Sequence, residues 1–431
     1  MVARYQPLAP RQIGFLSTRF AGTDGVTLET EKWSTILERL GHTCFYFAGS
    51  SDQPDERSYV VPEALFKHPD IEAIYIQAFS QRIRPAAISH SIHQIKNFLK
   101  EHIYHFVRQF DIQLLIIENS LAIPLNIPLG LAITEFIAET GLPTIAHHHD
   151  FFWERKRFLV NCVWDYLNMA FPPHLPYIHH VVINSSGANQ LSLRTGISSR
   201  LIPNVMDFDN LPPEPDDYGQ DLRLALGVAP DEKLFLQPTR VVQRKGIEQA
   251  IELVSRLEMK ARLVISHATG DEGDEYEQRV REFASMLNVP VNFVSDIIRD
   301  QRGTTQDGRK IYRLSDVYQK AELVTYPSSI EGFGNAFLEA VYYQRPIVVN
   351  NYSIYAIDIK PKGFRVIEFD DFITRETVDF TRKVLVDGQL AQEMIEHNYQ
   401  IAKRHYSFSI LERYLQALLA ECFGEESSLE S

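Results

Sequence analysis

The feature that most constrains this 431-residue chain is an alternation of short apolar runs with amphipathic segments, which occurs twice, on either side of a single proline- and acid-rich break. The first half opens with a strand-like run at 13–17, an amphipathic stretch over 26–40 and a second strand-like run at 43–47, which predicts a β-α-β start. It continues with a helix over 92–110, a strand at 114–117, a helix around 129–139, a short strand at 143–146, a strand at 181–183 and a helix near 187–193. Apolar runs separated by helix-length segments predict mostly parallel sheets covered by helices on both faces. Between Ile202 and Gln220 the text reads IPNVMDFDNLPPEPDDYGQ. It sustains neither period and reads as a linker.

After the break the alternation restarts. Strands are expected at 233–236, 262–265, 291–294, 323–326 and 347–350, with helices at 246–257, 276–287, 314–320 and 334–343. A chain this long exceeds what one apolar core usually supports, so two α/β domains are expected. We assign 1–204 to an N-terminal domain, 205–220 to the linker and 221–395 to a C-terminal domain. Two helices within 389–422 are expected to part near His405 and Ser407, with 396–422 returning to the first domain and 423–431 a disordered tail.

Composition narrows the function class. The 43 basic and 56 acidic residues give a net charge of −13 without a basic block, which argues against a nucleic-acid partner or an anionic membrane surface. No stretch reaches the roughly 18 apolar residues of a spanning helix, and the N-terminus lacks a signal-peptide core. No integral membrane segment and a cytoplasmic location are therefore expected. Cys44, Cys162 and Cys422 fit neither a disulfide framework nor a zinc module.

Chemistry concentrates at two strand-to-helix turns of the second half. Arg240 and Lys245 stand five apart after the strand at 233–236 and immediately before Gly246, at the sheet edge where open α/β folds bind ligands. A guanidinium fork and a point charge there suit a diphosphate, though such a turn is also often merely solvated. Glu331-Gly332-Phe333-Gly334-Asn335-Ala336, with Glu339 beyond, follows the strand at 323–326 and runs into a helix. The glycines allow close backbone approach, the first helical N–H groups suit an anion, and the carboxylates accept hydrogen bonds from sugar hydroxyls.

Together, R-x4-K-G and E-G-F-G-x4-E-A, about ninety residues apart, resemble the retaining GT-B glycosyltransferases of family 4, and the likeness covers nearly the whole second half. That resemblance implies an α/β GT-B fold of two Rossmann-like domains facing across a cleft. It also implies a nucleoside diphosphate sugar as substrate. Arg240 and Lys245 would hold the diphosphate, Glu331 the sugar and Glu339 the ribose, with Gly332, Phe333, Gly334, Asn335 and Ala336 completing the donor loop. Front-face attack, with the departing phosphate accepting the proton, would retain the anomeric configuration. Asn335 and Ala336 depart from the family pattern, which commonly has Leu or Met and then a small residue or Pro. That puts hydroxyl recognition there in doubt.

The first half carries candidates for the acceptor side. Gly22-Thr23-Asp24-Gly25 follows the opening strand and reads either as an active-site loop or as a capped β-α turn. His147-His148-His149-Asp150 follows the strand at 143–146. Consecutive side chains diverge, which argues against metal ligation, and the family resemblance implies a sugar contact for His149, with His148 beside it. Asp207-Phe208-Asp209 is formally D-x-D but lies in the linker, so no cofactor is expected to be required and no divalent metal to be essential. Trp153, Arg155 and Arg157 join an aromatic ring to cations, suited to a sugar and an acidic group, or equally to a solvated helix start. The run 22–33 and the His-rich segment are similar to mannosylglucosylglycerate synthases, which implies a small anionic acceptor such as glucosylglycerate, with GDP-mannose as donor. UDP-glucose transfer to another small, lipid or polysaccharide acceptor, and a non-catalytic glycan- or partner-binding protein, are the competing readings.

Overall fold

A computed structural model describes residues 9–22, 24–269 and 275–424. Thr23 and residues 425–431 of the expected tail lie outside the described residues. The chain forms two compact units, Met1–Val205 with Phe408–Ser431 and Met206–Ser407.

The first unit holds seven strands: β1 (Gln12–Leu16), β2 (Thr43–Ala48), β3 (Ser58–Val60), β4 (Leu114–Glu118), β5 (Thr144–His148), β6 (Ile178–Val182) and β7 (Arg200–Leu201). They pair in parallel in the order β3-β2-β1-β4-β5-β6-β7, with Ile13 opposite both Cys44 and Leu114. All five residues of β4 are buried, as expected of a central strand covered on both faces. The last of them is a glutamate.

The helix Gly25–Arg39 starts on Asp24, whose carboxylate accepts from the Val26 and Thr27 N–H groups, a favourable N-cap. Its buried face, Trp33, Ile36 and Leu37, packs with Leu411, Leu415, Leu418 and Leu419 of the final helix Phe408–Phe423. Each such aliphatic side chain contributes about 1.5–3 kcal/mol by leaving water. The final helix is thereby fixed to the first unit, whereas the helix Gly388–Tyr406 belongs to the second. The crossing comes at Ser407 rather than at the expected 396, because the preceding helix runs unbroken through that position. The expected linker 205–220 also belongs to the second unit from Met206 onward, and Phe208 within it is fully buried.

The second unit holds β8 (Lys233–Gln237), β9 (Ala261–Ile265), β10 (Val291–Phe293), β11 (Gly303–Thr304), β12 (Lys310–Ile311), β13 (Leu323–Tyr326), β14 (Ile347–Asn350) and β15 (Ile367–Phe369). Six of these form a parallel sheet in the order β10-β9-β8-β13-β14-β15, and β11 and β12 form a separate antiparallel hairpin. The helix Ile247–Leu257 buries Ile247, Ala250, Ile251, Leu253, Val254 and Leu257, the 3.6-residue spacing that predicted it. The strands and α-helices not anticipated are β3, β7, β11, β12 and β15 and the helices Pro69–Ala78, Trp164–Ala170, Leu222–Ala225 and Arg375–Val386. The strands among them have two or three residues, too few to display a period. No described helix is long and apolar enough to cross a membrane.

Candidate active site

In the second sheet β8 and β13 are neighbours although four strands, β9 to β12, lie between them in the chain, so the strand order reverses between them. Loops leaving the carboxyl ends of two such strands diverge and leave a crevice. The loop after β8 carries Arg240 and Lys245, and the loop after β13 carries Glu331. Gln237, the fully buried last residue of β8, fixes this edge. Its amide donates to Thr239 Oγ1 and to the Lys245 carbonyl, both at 3.1 Å, and accepts from Thr325 Oγ1 of β13 at 2.7 Å. The Ser329 N–H donates to the Arg244 carbonyl at 2.9 Å, joining the two loops.

The Lys245 ammonium donates to Glu331 Oε1, and Arg244 lies 3.6 Å from Oε2 of the same carboxylate. Both partners of the first pair are about nine-tenths buried. Burial alone would raise the Glu331 carboxyl, but Lys245 outweighs it and holds the group ionised below its ordinary range. Burial pushes Lys245 down, against the pull of Glu331. The Tyr326 ring centroid lies 5.7 Å from the ammonium. Arg240 is exposed and pairs with no carboxylate among the described residues. Glu339 accepts from the Tyr318 hydroxyl at 2.8 Å, and that ring stacks on Tyr343 at 5.0 Å. His267, in the loop after β9, accepts or donates at 2.8 Å to Ser266 Oγ, and burial first and Lys245 second lower its pKa.

Two glycines shape these loops. Gly246 has φ +60°, and a Cβ there would lie 2.4 Å from the Pro327 carbonyl oxygen. Gly334 has φ +128°, and its Cβ would lie 2.3 Å from Tyr352 Oη, which donates to the Phe333 carbonyl. Phe333 and Ala336 are buried, Asn335 is half-buried and Gly332 is exposed. Gly246→Ala is expected to cost about 1–3 kcal/mol from backbone conformation alone, and more from the overlap. Denaturant unfolding measures the loss, and an unchanged midpoint would refute the strain.

In the first unit the strand β5 extends through His148, beyond the expected end at 146. Its alternation sends neighbouring side chains to opposite faces. His148 is buried at 1% exposure and meets His180 of β6, Nε2 to Nδ1 at 2.9 Å. The substrate contact expected of His148 is therefore corrected: it is a core residue. His147 and His149, two apart, converge on Glu118 of β4. His147 Nδ1 lies 3.0 Å and His149 Nε2 3.0 Å from Glu118 Oε2. The expected divergence holds for consecutive residues and fails for this pair. The ligand atoms of Glu118, His147 and His149 all lie within 4.8 Å of one another, the one group among the described residues close enough to hold a metal ion.

Asp24 serves the helix cap and pairs with Arg19 at 2.7 Å. The Gly22 N–H donates to Asp52 at 2.9 Å, and Gly25 is the first helical residue. These contacts match the capped-turn reading of that loop. Arg155 pairs with Asp150, so its charge is already matched. Arg157 lies over the Phe158 ring and Trp153 stacks on Phe151 at 4.5 Å. Residues that pattern reading missed are Arg244, Gln237, Tyr318 and His267 in the second unit and Glu118 and Asn119 in the first. The one signal for the last two is a polar pair, Glu-Asn, closing the apolar run at 114–117. A cavity of ≈ 780 Å³ lined by residues including Arg365, His397 and Lys403 contains none of the expected site residues.

No protein-family model matches the chain. The chain is 30% identical over 440 residues to the mannosylglucosylglycerate synthase of Thermotoga maritima, covering 94% of this chain and 98% of that protein. Among solved structures it resembles a glycosyltransferase from Rickettsia africae (13% identity, TM-score 0.68, covering 97% of this chain and all of that one). It also resembles Anabaena HepE solved with UDP-glucose (12% identity, TM-score 0.64, covering 95% and all). These likenesses fix the fold as that of GT-B glycosyltransferases. With the identity over nearly its whole length, the chain belongs to the mannosylglucosylglycerate synthase family of glycosyltransferases.

Proposed function

We propose that this protein transfers mannose from GDP-mannose to a hydroxyl of a small anionic acceptor such as glucosylglycerate, with retention at the anomeric carbon. The observation that carries the reading is the pairing of Lys245 with Glu331 at the strand-order reversal, flanked by Arg240 and Arg244. Cations there bind a diphosphate and stabilise the charge that develops as it leaves. Glu331, held ionised, accepts hydrogen bonds from the sugar hydroxyls, and Glu339 accepts from the ribose. The backbone of Gly332–Ala336 lines the donor loop, and His149 contacts the substrate sugar. The departing phosphate takes the acceptor proton, so no divalent metal is needed for turnover. The anionic acceptor follows from the names of the relatives at 30% identity. We read the protein as cytoplasmic because its three cysteines are free.

A thermal-shift panel with GDP-mannose, UDP-glucose and related donors tests the reading. UDP-glucose is included because HepE was solved with it. A donor at about 100 times its Kd stabilises the fold by about 2.7 kcal/mol, and the largest rise is expected with GDP-mannose. Mannose transfer to glucosylglycerate should persist in chelator. A rise with UDP-glucose alone would replace the donor, and no rise with any donor would refute the site. Donor binding without transfer to any acceptor would favour the non-catalytic reading.

A further inference from the structure

The strand β14 lies beside β13 in the second sheet, so residues leaving its carboxyl end stand next to the loop that carries Glu331 and Gly334. Tyr352 is the second residue past that end, and its backbone is anchored there. Its N–H donates to the Asn350 carbonyl at 2.8 Å and its carbonyl accepts from the Ala356 N–H at 2.9 Å. The side chains of Asn350 and Asn351 donate to Asp371 and Asp370 respectively. The Tyr352 ring is buried, set edge-on to Tyr326 at 6.0 Å and tilted against Tyr355 at 5.9 Å. Packing of that kind asks only for a ring. The hydroxyl adds one bond, donated to the Phe333 carbonyl at 2.8 Å. The Phe333 ring is held as well, edge-on to Tyr406 at 5.6 Å.

The hydroxyl bond sets the orientation of a whole peptide. In a planar trans peptide the carbonyl and the N–H point in opposite directions. With the Phe333 carbonyl turned to Tyr352, the Gly334 N–H points away from it. Gly334 is buried, yet its N–H meets no acceptor among the described residues. Buried N–H groups without a partner are rare in folded proteins. We propose that Tyr352 is a positioning residue, which holds the peptide between Phe333 and Gly334 so that the Gly334 N–H is a preset donor to an oxygen of the nucleotide sugar. The choice of ligand rests on the reading under Proposed function; the orientation of the peptide does not. Gly334 suits this part twice over, because φ +128° disfavours an L side chain and a Cβ would lie 2.3 Å from the Tyr352 hydroxyl. A donor fixed before the ligand arrives lowers the ordering cost of binding.

Phe-Gly occurs in the chain only at 333–334 and 423–424. Protein labelled with carbon-13 at phenylalanine carbonyls and nitrogen-15 in glycine therefore gives two carbonyl–amide NMR signals. Gly424→Asn, at a position with open space around it, removes one of them. In Tyr352→Phe without ligand the Phe333 carbonyl signal is expected to shift, because its hydrogen bond is gone. In the unaltered protein, saturation with GDP-mannose is expected to move the Gly334 amide downfield. The same shift with GDP assigns the oxygen to the diphosphate, and a shift with GDP-mannose alone assigns it to the sugar. Transfer by Tyr352→Phe is expected to show a donor KM raised about 3- to 10-fold, the worth of one hydrogen bond, with kcat and the acceptor KM close to unchanged. A merely structural defect leaves fewer active molecules, which lowers the apparent kcat at the same KM. An unmoved Phe333 carbonyl in the variant, a Gly334 amide unmoved by donors that raise the melting temperature, or an unchanged donor KM each overturn the proposal. If no donor raises the melting temperature, the reading under Proposed function fails, and the Phe333 carbonyl still decides whether Tyr352 sets the peptide. Should Tyr352→Phe fail to fold, the Gly334 amide of the unaltered protein, with and without GDP-mannose, decides.

Discussion

Lys245→Ala is expected to lower transfer about 100- to 1,000-fold, the usual effect of removing one group that stabilises developing negative charge, and to destabilise the protein at the same time. The second effect arises because Glu331 would keep its charge in a site about nine-tenths buried, with Arg244, 3.6 Å away, the cation left to answer it. Removing one partner of a buried pair costs about 3–5 kcal/mol. The two effects separate in a double variant. Lys245→Met with Glu331→Gln removes both charges and keeps similar volume, so stability should recover most of the loss while transfer stays low. Denaturant unfolding and initial rates of transfer are the measurements. A Lys245→Ala protein with near-normal rates would remove Lys245 from the donor site. A double variant as unstable as the single one would show that the pair is not what links the two loops.

Acidification is expected to weaken the first unit well before carboxylates protonate. His148 and His180 share one hydrogen bond at 2.9 Å with rings stacked 5.2 Å apart. One ring must donate and the other accept, so the accepting ring must be neutral, and burial disfavours a charge on either. Burial lowers His148 well below its ordinary value, and it lowers His180, with a smaller push from His174, to about 4. The folded-state pKa lies below that of the unfolded chain. Between about 6.5 and 4 the unfolded state therefore binds more protons, and stability falls as pH falls. For His180 alone the loss is roughly 3 kcal/mol across that window, and His148 adds to it. Glu118 joins only lower down. Burial would raise it, but His147 and His149 hold it at about 2, so its contribution is lost between about 4.5 and 2. Melting temperature against pH checks this. His148→Asn with His180→Asn, which cannot titrate, should flatten the curve between about pH 6.5 and 4; an unchanged slope would refute the assignment.

The sites were legible to very different degrees. Arg240, Lys245 and Glu331 stand in short motifs in the loops that follow strands that apolar runs reveal directly, and Glu339 lies inside the helix Asn335–Tyr342, where reading predicted a helix. Arg244 escaped because a third cation in a basic turn carries no pattern of its own. His148 was expected at the substrate and lies in the core, since the strand runs two residues further than its apolar run and so sets which face each histidine takes. Arg155, read either as a partner for an acidic group or as part of a solvated helix start, is held by Asp150, five residues before it.

The sequence by itself determined the α/β class, the division into two repeats of that pattern and the placing of the Arg240–Lys245 and Glu331–Ala336 motifs at strand-to-helix turns. Each follows from periodicity within a window of a dozen residues, and hydrophobic burial acts on such windows directly. Only the tertiary structure decided which strands became neighbours. That choice joined Lys245 to Glu331 across 86 residues and Glu118 to His147 across 29, and it gave the final helix to the first unit. Parallel pairing leaves no local trace, because the connection between partners is a crossover whose length does not name its destination. The charge of a buried imidazole depends on that choice as well, since it is set by which carboxylate the neighbouring strand brings to it.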